Sequence, residues 1–470
     1  MSSTETPRLR RVLKWTDAAA ILIGITIGAG IFAVPQGIAQ NMSSFGQIIW
    51  LWIGCAAFSL VGNLLYAELG TRLPVTGGEY VYMNRCYGPF AGFMFGWAQV
   101  FIIRTSTVAS MSLITVAYFQ YFVELSRWQE LALALCIIAA FGYLNYTGIQ
   151  RASLYQKFST IVKVAGLLLL ATIGLALLPG TESKLGETSV SQAPGSMVGN
   201  TAQAFLLVLF TMIGWDRVGY VAGEMTNPRR AIPRALLVGF GTVMVVYIAI
   251  NVVYHNALGL EAIRQTNRVG VDLATVLMGS VGASFIAVLV MISTTGSMNG
   301  TMMSAPRLYY AMAKDGLMFR WLNYVHPKYR TPSRAILLHC IWGTFILVVR
   351  GSFETIITGM LFVILIFYAF TTISIFILRR RNVAQGPVFR MPGYPWLPGL
   401  YLAVVVGLVL VRAITNWQQS LIDLAFVAAG LPAAAFFFGI IKWPGRGPST
   451  DRGLGGTPNN MLYQRSQDER

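Results

Sequence analysis

The sequence predicts an all-α integral membrane protein, and three observations support this fold class. Charged residues make up only 11% of the 470 residues and apolar residues 55%, against roughly 25% and 45–50% in soluble chains. Uncharged apolar stretches of spanning length recur from Trp15 to Trp443. Most of the 35 Lys and Arg lie in short loops between these stretches. A soluble enzyme with a single membrane anchor is therefore excluded.

Twelve membrane-spanning helices follow if about 20 apolar residues make one crossing. The first begins at Asp17, is longer than a signal-peptide core and has no small-residue cleavage pattern after it, so it is kept as a span. The twelve lie near 17–39, 47–68, 90–122, 130–147, 158–179, 200–222, 235–256, 279–305, 335–350, 353–378, 396–415 and 420–441.

The basic residues indicate the orientation of the chain. Sorted by alternating loops, most Lys and Arg fall on the side of the N-terminus, so the positive-inside rule places both termini in the cytoplasm and the chain in the cell membrane. In a soluble protein a surplus of 35 basic over 18 acidic residues would suggest a nucleic-acid partner. Here these charges are topology signals, and no nucleic acid is expected. The tail after Trp443 is rich in Gly, Pro and polar residues and is expected to be disordered.

The four cysteines, Cys55, Cys86, Cys136 and Cys340, fall in or beside predicted spans without paired ligand spacing. Neither a disulfide framework nor a zinc site is predicted, and they are interpreted as free thiols. No motif calls for a metal or another cofactor.

Two spans are poor continuous helices at matching places in the two halves of the chain. Helix 1 carries Gly24, Gly28 and Gly30, and helix 6, five spans later, carries Gly214 beside Asp216. Interrupted segments at equivalent positions of two halves are the best sequence pointer to a transporter's binding site. The five-span offset makes the halves oppositely oriented, as inverted repeats require.

A helix break in hydrocarbon exposes backbone groups that must be satisfied, so it survives only where protein, water or a ligand pairs them. Free N–H groups and the positive dipole end suit a carboxylate, and the carbonyls of the preceding half-helix suit an ammonium. An α-amino acid has both groups. The alternative for helix 1 is close packing through the Gly24–Gly28 GxxxG pair. The ionisable pair Asp216–Arg217 at helix 6 argues against packing alone.

The chain resembles the amino acid-polyamine-organocation superfamily, and most closely its L-type amino acid transporter branch. The similarity runs from about Asp17 to Arg381. The residues that carry it are Gly28-Ala29-Gly30-Ile31-Phe32, Tyr66-Ala67-Glu68-Leu69-Gly70, Gly77-Gly78-Glu79-Tyr80, Gly214-Trp215-Asp216 with Glu224 and Asn227-Pro228-Arg229, and Gly296 to Gly300 with Arg307-Leu308.

This resemblance implies a LeuT-type fold with alternating access around a site at the middle of the membrane, and helices 1 and 6 broken. It divides the chain into a cytoplasmic segment 1–16, a first five-helix repeat 17–180, a second inverted repeat 197–381, helices 11 and 12 at 396–441, and a cytoplasmic tail 442–470.

The resemblance also implies a substrate site. The substrate carboxylate is expected at Gly28, Ala29 and Gly30, where Ala29 replaces a Ser common in relatives without loss of the main-chain groups. The amine is expected at the carbonyls of Thr26 or Ile27 and of Phe210. Phe210 matches the family's aromatic gate, although the bare sequence favours a lipid-facing or core residue.

Lys163 lies within helix 5, about 9 Å along the helix from Lys157. One interpretation is that its side chain reaches the cytoplasm. The resemblance implies instead that its ammonium faces helices 1 and 8, where sodium-coupled relatives hold a cation. A fixed charge there argues against sodium dependence. Ser297 and Thr301, on one face of helix 8, are candidate hydrogen-bond partners.

The role of Asp216 is left open between contact with the substrate or the break and a structural ion pair with Arg104 or Arg217. Relatives often carry Asn at this position, so its charge favours cationic substrates. Ile213 stands where relatives have a small residue, and its bulk favours smaller ones. Glu68, near the cytoplasmic end of helix 2, is expected to anchor a loop rather than relay protons.

The predicted function is a sodium-independent secondary transporter of α-amino acids, neutral L-amino acids foremost, by exchange or linked to a proton. The alternatives are a carrier of cationic amino acids or amines, and a sensor that binds an amino acid without moving it. An enzyme is disfavoured because the three His are scattered and no phosphate-cradling loop occurs. Animal relatives bind a glycoprotein heavy chain through a cysteine in the loop after helix 3. The loop 124–130 has no cysteine, so no disulfide-linked heavy chain is expected.

Overall fold

The computed structural model describes residues 14–28, 30–74, 78–177, 184–186, 196–216, 225–314, 316–384 and 388–438. These ranges are built of helices, and ten helical segments are long and apolar enough to cross a membrane, where Trp417–Phe436 counts as one segment. A further apolar helix, Met197–Met212, has 16 residues. The predicted all-α membrane fold is confirmed at this level.

We number the helices in chain order, counting Pro89–Phe119 as one helix although it contains a π-helical turn. They are α1 Trp15–Thr26, α2 Gly30–Ala33, α3 Pro35–Asn41, α4 Phe45–Arg72, α5 Glu79–Tyr87, α6 Pro89–Phe119, α7 Arg127–Tyr146, α8 Ile149–Leu177, α9 Met197–Met212, α10 Pro228–Leu258, α11 Leu260–Gln265, α12 Val269–Lys314, α13 Ser333–Arg350, α14 Phe353–Arg380, α15 Trp396–Thr415, α16 Trp417–Ala428 and α17 Gly430–Phe437.

Several helices extend beyond the apolar stretches that predicted them. α8 begins at Ile149 rather than near 158, because the helix continues past Arg151 and Lys157 on its polar side. α12 begins at Val269 but is kinked at Gly279, whose φ is +69°, so the predicted start of helix 8 coincides with the kink. The predicted span residues 217–222 and 439–441, the segment 1–13 and the tail 442–470 lie outside the described residues. All four cysteines are free thiols, as predicted.

Local sequence signals explain several helix ends. The side chains of Ser44, Ser196 and Ser352 each accept a backbone N–H from the first turn of the helix that follows. α13 ends at Gly351, which adopts the left-handed conformation (φ 67°, ψ −19°) that glycine tolerates best. Gly351 and Ser352 alone therefore reverse the chain between α13 and α14.

Helix packing places the first break inside the bundle. α1 packs along α10, which also contacts α4, while α12 packs against both α6 and α8. Glycines allow some of these close approaches. A Cβ on Gly96 of α6 would overlap Met312 of α12, and one on Gly166 of α8 would overlap Leu289 of α12. The polypeptide that follows α1 is consequently enclosed by other helices.

Glu68, near the C-terminal end of α4, anchors the segment between α14 and α15. Its fully buried carboxylate accepts hydrogen bonds from Arg72 Nε (2.8 Å), Arg379 Nε (2.7 Å) and Nη2 (2.5 Å), and Met391 N (2.8 Å). One turn further, Thr71 Oγ1 accepts a hydrogen bond from Phe389 N (3.1 Å). The prediction that Glu68 anchors a loop is confirmed.

Candidate functional site

Helix 1 is interrupted where the glycines predicted. α1 ends at Thr26 and α2 begins at Gly30, and Ile27 and Gly28 between them are buried and not helical. Ala29, predicted to contact the substrate carboxylate, lies outside the described residues. Because the half-helices end here, several backbone groups at the break have no partner within their own helix.

Helix 6 departs from regular helix near Gly214. α9 ends at Met212, and Ile213 has extended backbone angles (φ −68°, ψ 130°). Gly214 and Trp215 are also outside the regular helix. The Phe210 carbonyl lies in the last turn of α9, where carbonyls lack the next helical N–H groups. Residues 217–224, with Arg217 and Glu224, lie outside the described residues.

The two interruptions are in direct contact. A Cβ on Gly214 would overlap the hydroxyl oxygen of Thr26, and a Cβ on Gly30 would lie 3.0 Å from Thr211 Cγ2 and 3.2 Å from its Cα. Any larger side chain at these glycines would push the breaks apart. The glycines thus allow the two non-helical segments to approach closely. Sequence alone could not distinguish this role from helix packing through a GxxxG pair.

Two tyrosines from other helices satisfy carbonyls on either side of the first break. The Tyr247 hydroxyl of α10 donates to the Thr26 carbonyl (2.7 Å), and the Tyr118 hydroxyl of α6 donates to the Phe32 carbonyl (3.0 Å). Both tyrosines are fully buried. Sequence reasoning missed them, because nothing in an apolar span distinguishes a tyrosine that fixes a break from one that fills the core.

Phe210 packs against a second aromatic side chain. It is half-buried and packs edge-on against Phe353, the first residue of α14, with ring centroids 5.9 Å apart. The aromatic pair lies in the last turn of α9 and links this end of the helix to α14.

Lys163 is buried between α1 and α12. Its side chain is 1% exposed, and its ammonium has no hydrogen-bond partner among the described residues. One turn before it on α8, the Thr160 side chain lies against Gly24 of α1. The neighbouring Ser159 side chain lies against Gly296 of α12. The interpretation in which Lys163 reaches the cytoplasmic surface is therefore not supported, because a side chain reaching water would not be so buried.

The two hydroxyls expected to pair with Lys163 bond to their own helix instead. Ser297 Oγ donates to the Ser293 carbonyl (3.1 Å), and Thr301 Oγ1 donates to the Ser297 carbonyl (3.1 Å). The buried hydroxyl of Ser293 has no partner among the described residues. Ser293 lies between Leu289 and Gly296 on α12, which contact positions on either side of Lys163. Of these three hydroxyls on α12, that of Ser293 therefore lies beside the turn of α8 that carries Lys163.

Asp216 forms an ion pair with Arg104 of α6, with 3.4 Å between Oδ2 and Nη2. Both residues are at least 95% buried. The ion pair with Arg104 is thus one of the interactions that Asp216 makes. Arg104 directly follows a π-helical turn, Gln99–Ile103, and π-turns inside α-helices are frequent at functional sites.

Glu79, the first residue of α5, is a second acid beside this ion pair. Its carboxyl is 3% exposed and accepts a hydrogen bond from the Tyr66 hydroxyl of α4. Burial, and after it the Asp216 carboxylate, raise the pKa of Glu79. The residue belongs to a motif quoted above, but its place in a short segment between spans gave no reason to expect burial.

An apolar helix that is interrupted beside the non-helical end of a second apolar helix is typical of the binding site of a multi-pass membrane transporter. The chain belongs to the amino acid permease family, which residues 13–441 match.

Its relatives include the human b(0,+)-type amino acid transporter 1, 29% identical over 91% of this chain and 88% of the relative. The serine/threonine exchanger SteT of Bacillus subtilis (strain 168) is 29% identical over 93% and 99%. The human cystine/glutamate transporter is 27% identical over 92% and 86%. These relatives are transporters rather than enzymes.

Proposed function

We propose that this chain is a sodium-independent secondary transporter of neutral L-α-amino acids, working by alternating access as an exchanger or with a linked proton. The contact between the two non-helical segments carries the proposal, because it brings together helix ends, whose N–H and carbonyl groups lack partners within their own helix. The names of the relatives support amino acids as the substrate class.

In this proposal the substrate carboxylate binds the N–H groups of Gly28, Ala29 and Gly30, and the amine binds the carbonyls of Ile27 and Phe210. The Thr26 carbonyl already accepts a hydrogen bond from Tyr247, so it is the weaker candidate for the amine. The Phe210 ring would cover the substrate, and Ile213 would limit its side chain.

The ammonium of Lys163 occupies the place of a coupling cation in our proposal. Its burial and its position between α1 and α12 support this role, and Ser293 joins Ser297 and Thr301 as a candidate neighbour. A fixed positive charge there disfavours Na⁺ by Coulomb repulsion, which is why we propose sodium independence.

For the architecture we propose twelve crossings in a LeuT-type arrangement, with repeats 17–180 and 197–381 and two further helices within 396–441. The ten long apolar helices, the shorter α9 and the interrupted α1–α3 segment together would supply that number. The segment 1–16 and the tail 442–470 would both be cytoplasmic. We also propose that the chain works without a disulfide-linked heavy chain.

The pairing of Asp216 supports neutral over cationic substrates. A carboxylate bonded to Arg104 offers little net negative charge to a second cation. Replacement of Asp216 by Asn should therefore reduce transport of all substrates together, since it leaves Arg104 without its carboxylate. Selective loss of cationic substrates would instead establish the cationic carrier.

Counterflow into proteoliposomes tests the proposed function. Vesicles loaded with unlabelled amino acid take up labelled serine, threonine, arginine or glutamate, with and without sodium and proton gradients. We expect uptake of serine or threonine that depends on trapped amino acid and is indifferent to sodium. Binding without uptake under any gradient would identify a sensor and overturn the proposal.

Two glycine variants test the contact between the breaks. Gly214→Ala should reduce uptake at least tenfold, because the new methyl group collides with Thr26 in the packed site. Gly241→Ala, on α10, is the matched control, since a Cβ there meets nothing within 4 Å. Equal uptake by both variants would show that the breaks need not touch.

A further inference from the structure

The Glu79 carboxyl lies near several hydroxyl groups and one guanidinium, that of Arg104, which is bonded to Asp216. Tyr66 of α4 donates to it, and the hydroxyls of Tyr368 on α14 and Tyr401 on α15 are close enough to interact electrostatically. The charged groups that act on it among the described residues are Asp216, which repels it, and Arg104.

Arg104 does not serve Glu79 as a dedicated counterion, because its guanidinium is bonded to Asp216. Burying an ionised carboxylate without an ion-pair partner costs several kcal/mol. A buried acid in that position lowers its free energy by taking up a proton. Tyrosine hydroxyls can then bond the neutral acid as donor or acceptor.

We propose that Glu79 is a proton-binding site of this transporter, protonated in the conformation described here and deprotonated when the surroundings of the Arg104–Asp216 pair open. The proposal rests on the proposed transport function and places a linked proton on Glu79. In the protonating step one proton from solvent adds to a carboxylate oxygen and gives the neutral carboxylic acid.

The position of Asp216 explains how substrate movement and the proton are linked. Asp216 lies two residues after Gly214, within the interrupted segment that touches Thr26. A movement of this segment shifts the carboxylate that holds Arg104. Once Arg104 is released from Asp216, or water enters, an ionised Glu79 is stabilised and the proton leaves.

The test compares Glu79→Gln with the wild type in the counterflow assay over a range of pH, with the exposed Glu261→Gln as the matched control. We expect wild-type and Glu261→Gln uptake to fall with rising pH by up to about tenfold per unit, as for one required proton. Glu79→Gln should keep measurable uptake and lose this dependence. A pH dependence that is the same in all three proteins would overturn the proposal.

Infrared difference spectroscopy of the purified full chain gives a readout that does not need transport. A protonated carboxyl band should titrate in the wild type, be absent in Glu79→Gln, and shift in Tyr66→Phe, which removes the hydroxyl bonded to Glu79. If Glu79→Gln does not fold, the Tyr66→Phe spectrum decides, and an unshifted band would overturn the proposal. If the wild type transports nothing, the proposed function fails while these spectra still test the proton site.

Discussion

Glu68 and Glu79 are both buried carboxylates, only 11 residues apart, but their surroundings are opposite. Glu68 receives four hydrogen bonds, three of them from the guanidinium groups of Arg72 and Arg379. Glu79 accepts one from the Tyr66 hydroxyl, and Arg104, the cation that acts on it, is bonded to Asp216. The comparison shows that burial alone does not define the role of an acid. A charge matched by cations holds structure together, whereas an unmatched one is free to titrate.

The largest effect should follow from breaking the Glu68 anchor. Glu68→Gln leaves the guanidiniums of Arg72 and Arg379 without an anion, and removing one partner of a buried ion pair costs about 3–5 kcal/mol. We expect a fall of about 4 kcal/mol in the free energy of unfolding, measured by denaturation of the purified protein. Glu261→Gln, at an exposed position, should unfold like the wild type. An unchanged Glu68→Gln protein would show that the anchor is dispensable.

The second effect concerns Arg104, the cation that interacts with both Asp216 and Glu79. Arg104→Met removes the positive charge but keeps an extended side chain, and we expect a loss of about 3 kcal/mol, at the lower end of the same range. The double variant Arg104→Met/Asp216→Asn should regain part of this loss, because neither buried charge remains. Additive losses in the double variant would mean that the two residues do not stabilise each other.

The smallest expected change in stability is that of Glu79→Gln, and its pH dependence distinguishes Glu79 from Glu68 most clearly. Glu79→Gln keeps a polar group for Tyr66, so stability near neutral pH should change by less than about 1 kcal/mol. Because the folded chain holds the Glu79 proton after the unfolded chain has lost it, wild-type stability should fall as pH rises above the ordinary range of Glu. The slope should not exceed about 1.4 kcal/mol per pH unit.

The measurement is the unfolding midpoint from about pH 5 to about pH 8, the interval over which the unfolded acid is ionised while the folded acid keeps its proton. Glu79→Gln should show a flatter profile than the wild type. A wild-type profile that rises with pH over this interval would contradict the assignment of a raised pKa to Glu79.

Much of the fold could be predicted from sequence because its signals are local. Apolar length identified the long spans, and the glycines of helix 1 and Gly214 indicated where the chain departs from regular helix. The end of α13 follows from Gly351 and Ser352. Helix lengths were underestimated at α8, since a helix continues after its sequence stops being apolar.

The candidate site was less predictable, because it depends on which helices meet. Ser297 and Thr301, the hydroxyls expected beside Lys163, bond to carbonyls of their own helix. The ion pair of Asp216 with Arg104 joins residues 112 positions apart, which the sequence alone does not bring together. Tyr247 and Glu79 carry no local signal, since their importance arises from residues distant in sequence.

The π-turn Gln99–Ile103 implies that the Arg104–Asp216 pair depends on the number of residues in α6 as well as on their identity. A π-turn is equivalent to one residue inserted into an α-helix, and each residue turns the helix by about 100°. A one-residue deletion in this turn would keep both charged side chains in the sequence and rotate Arg104 away from Asp216. Relatives that retain both charges can therefore differ in this ion pair through the length of one helix.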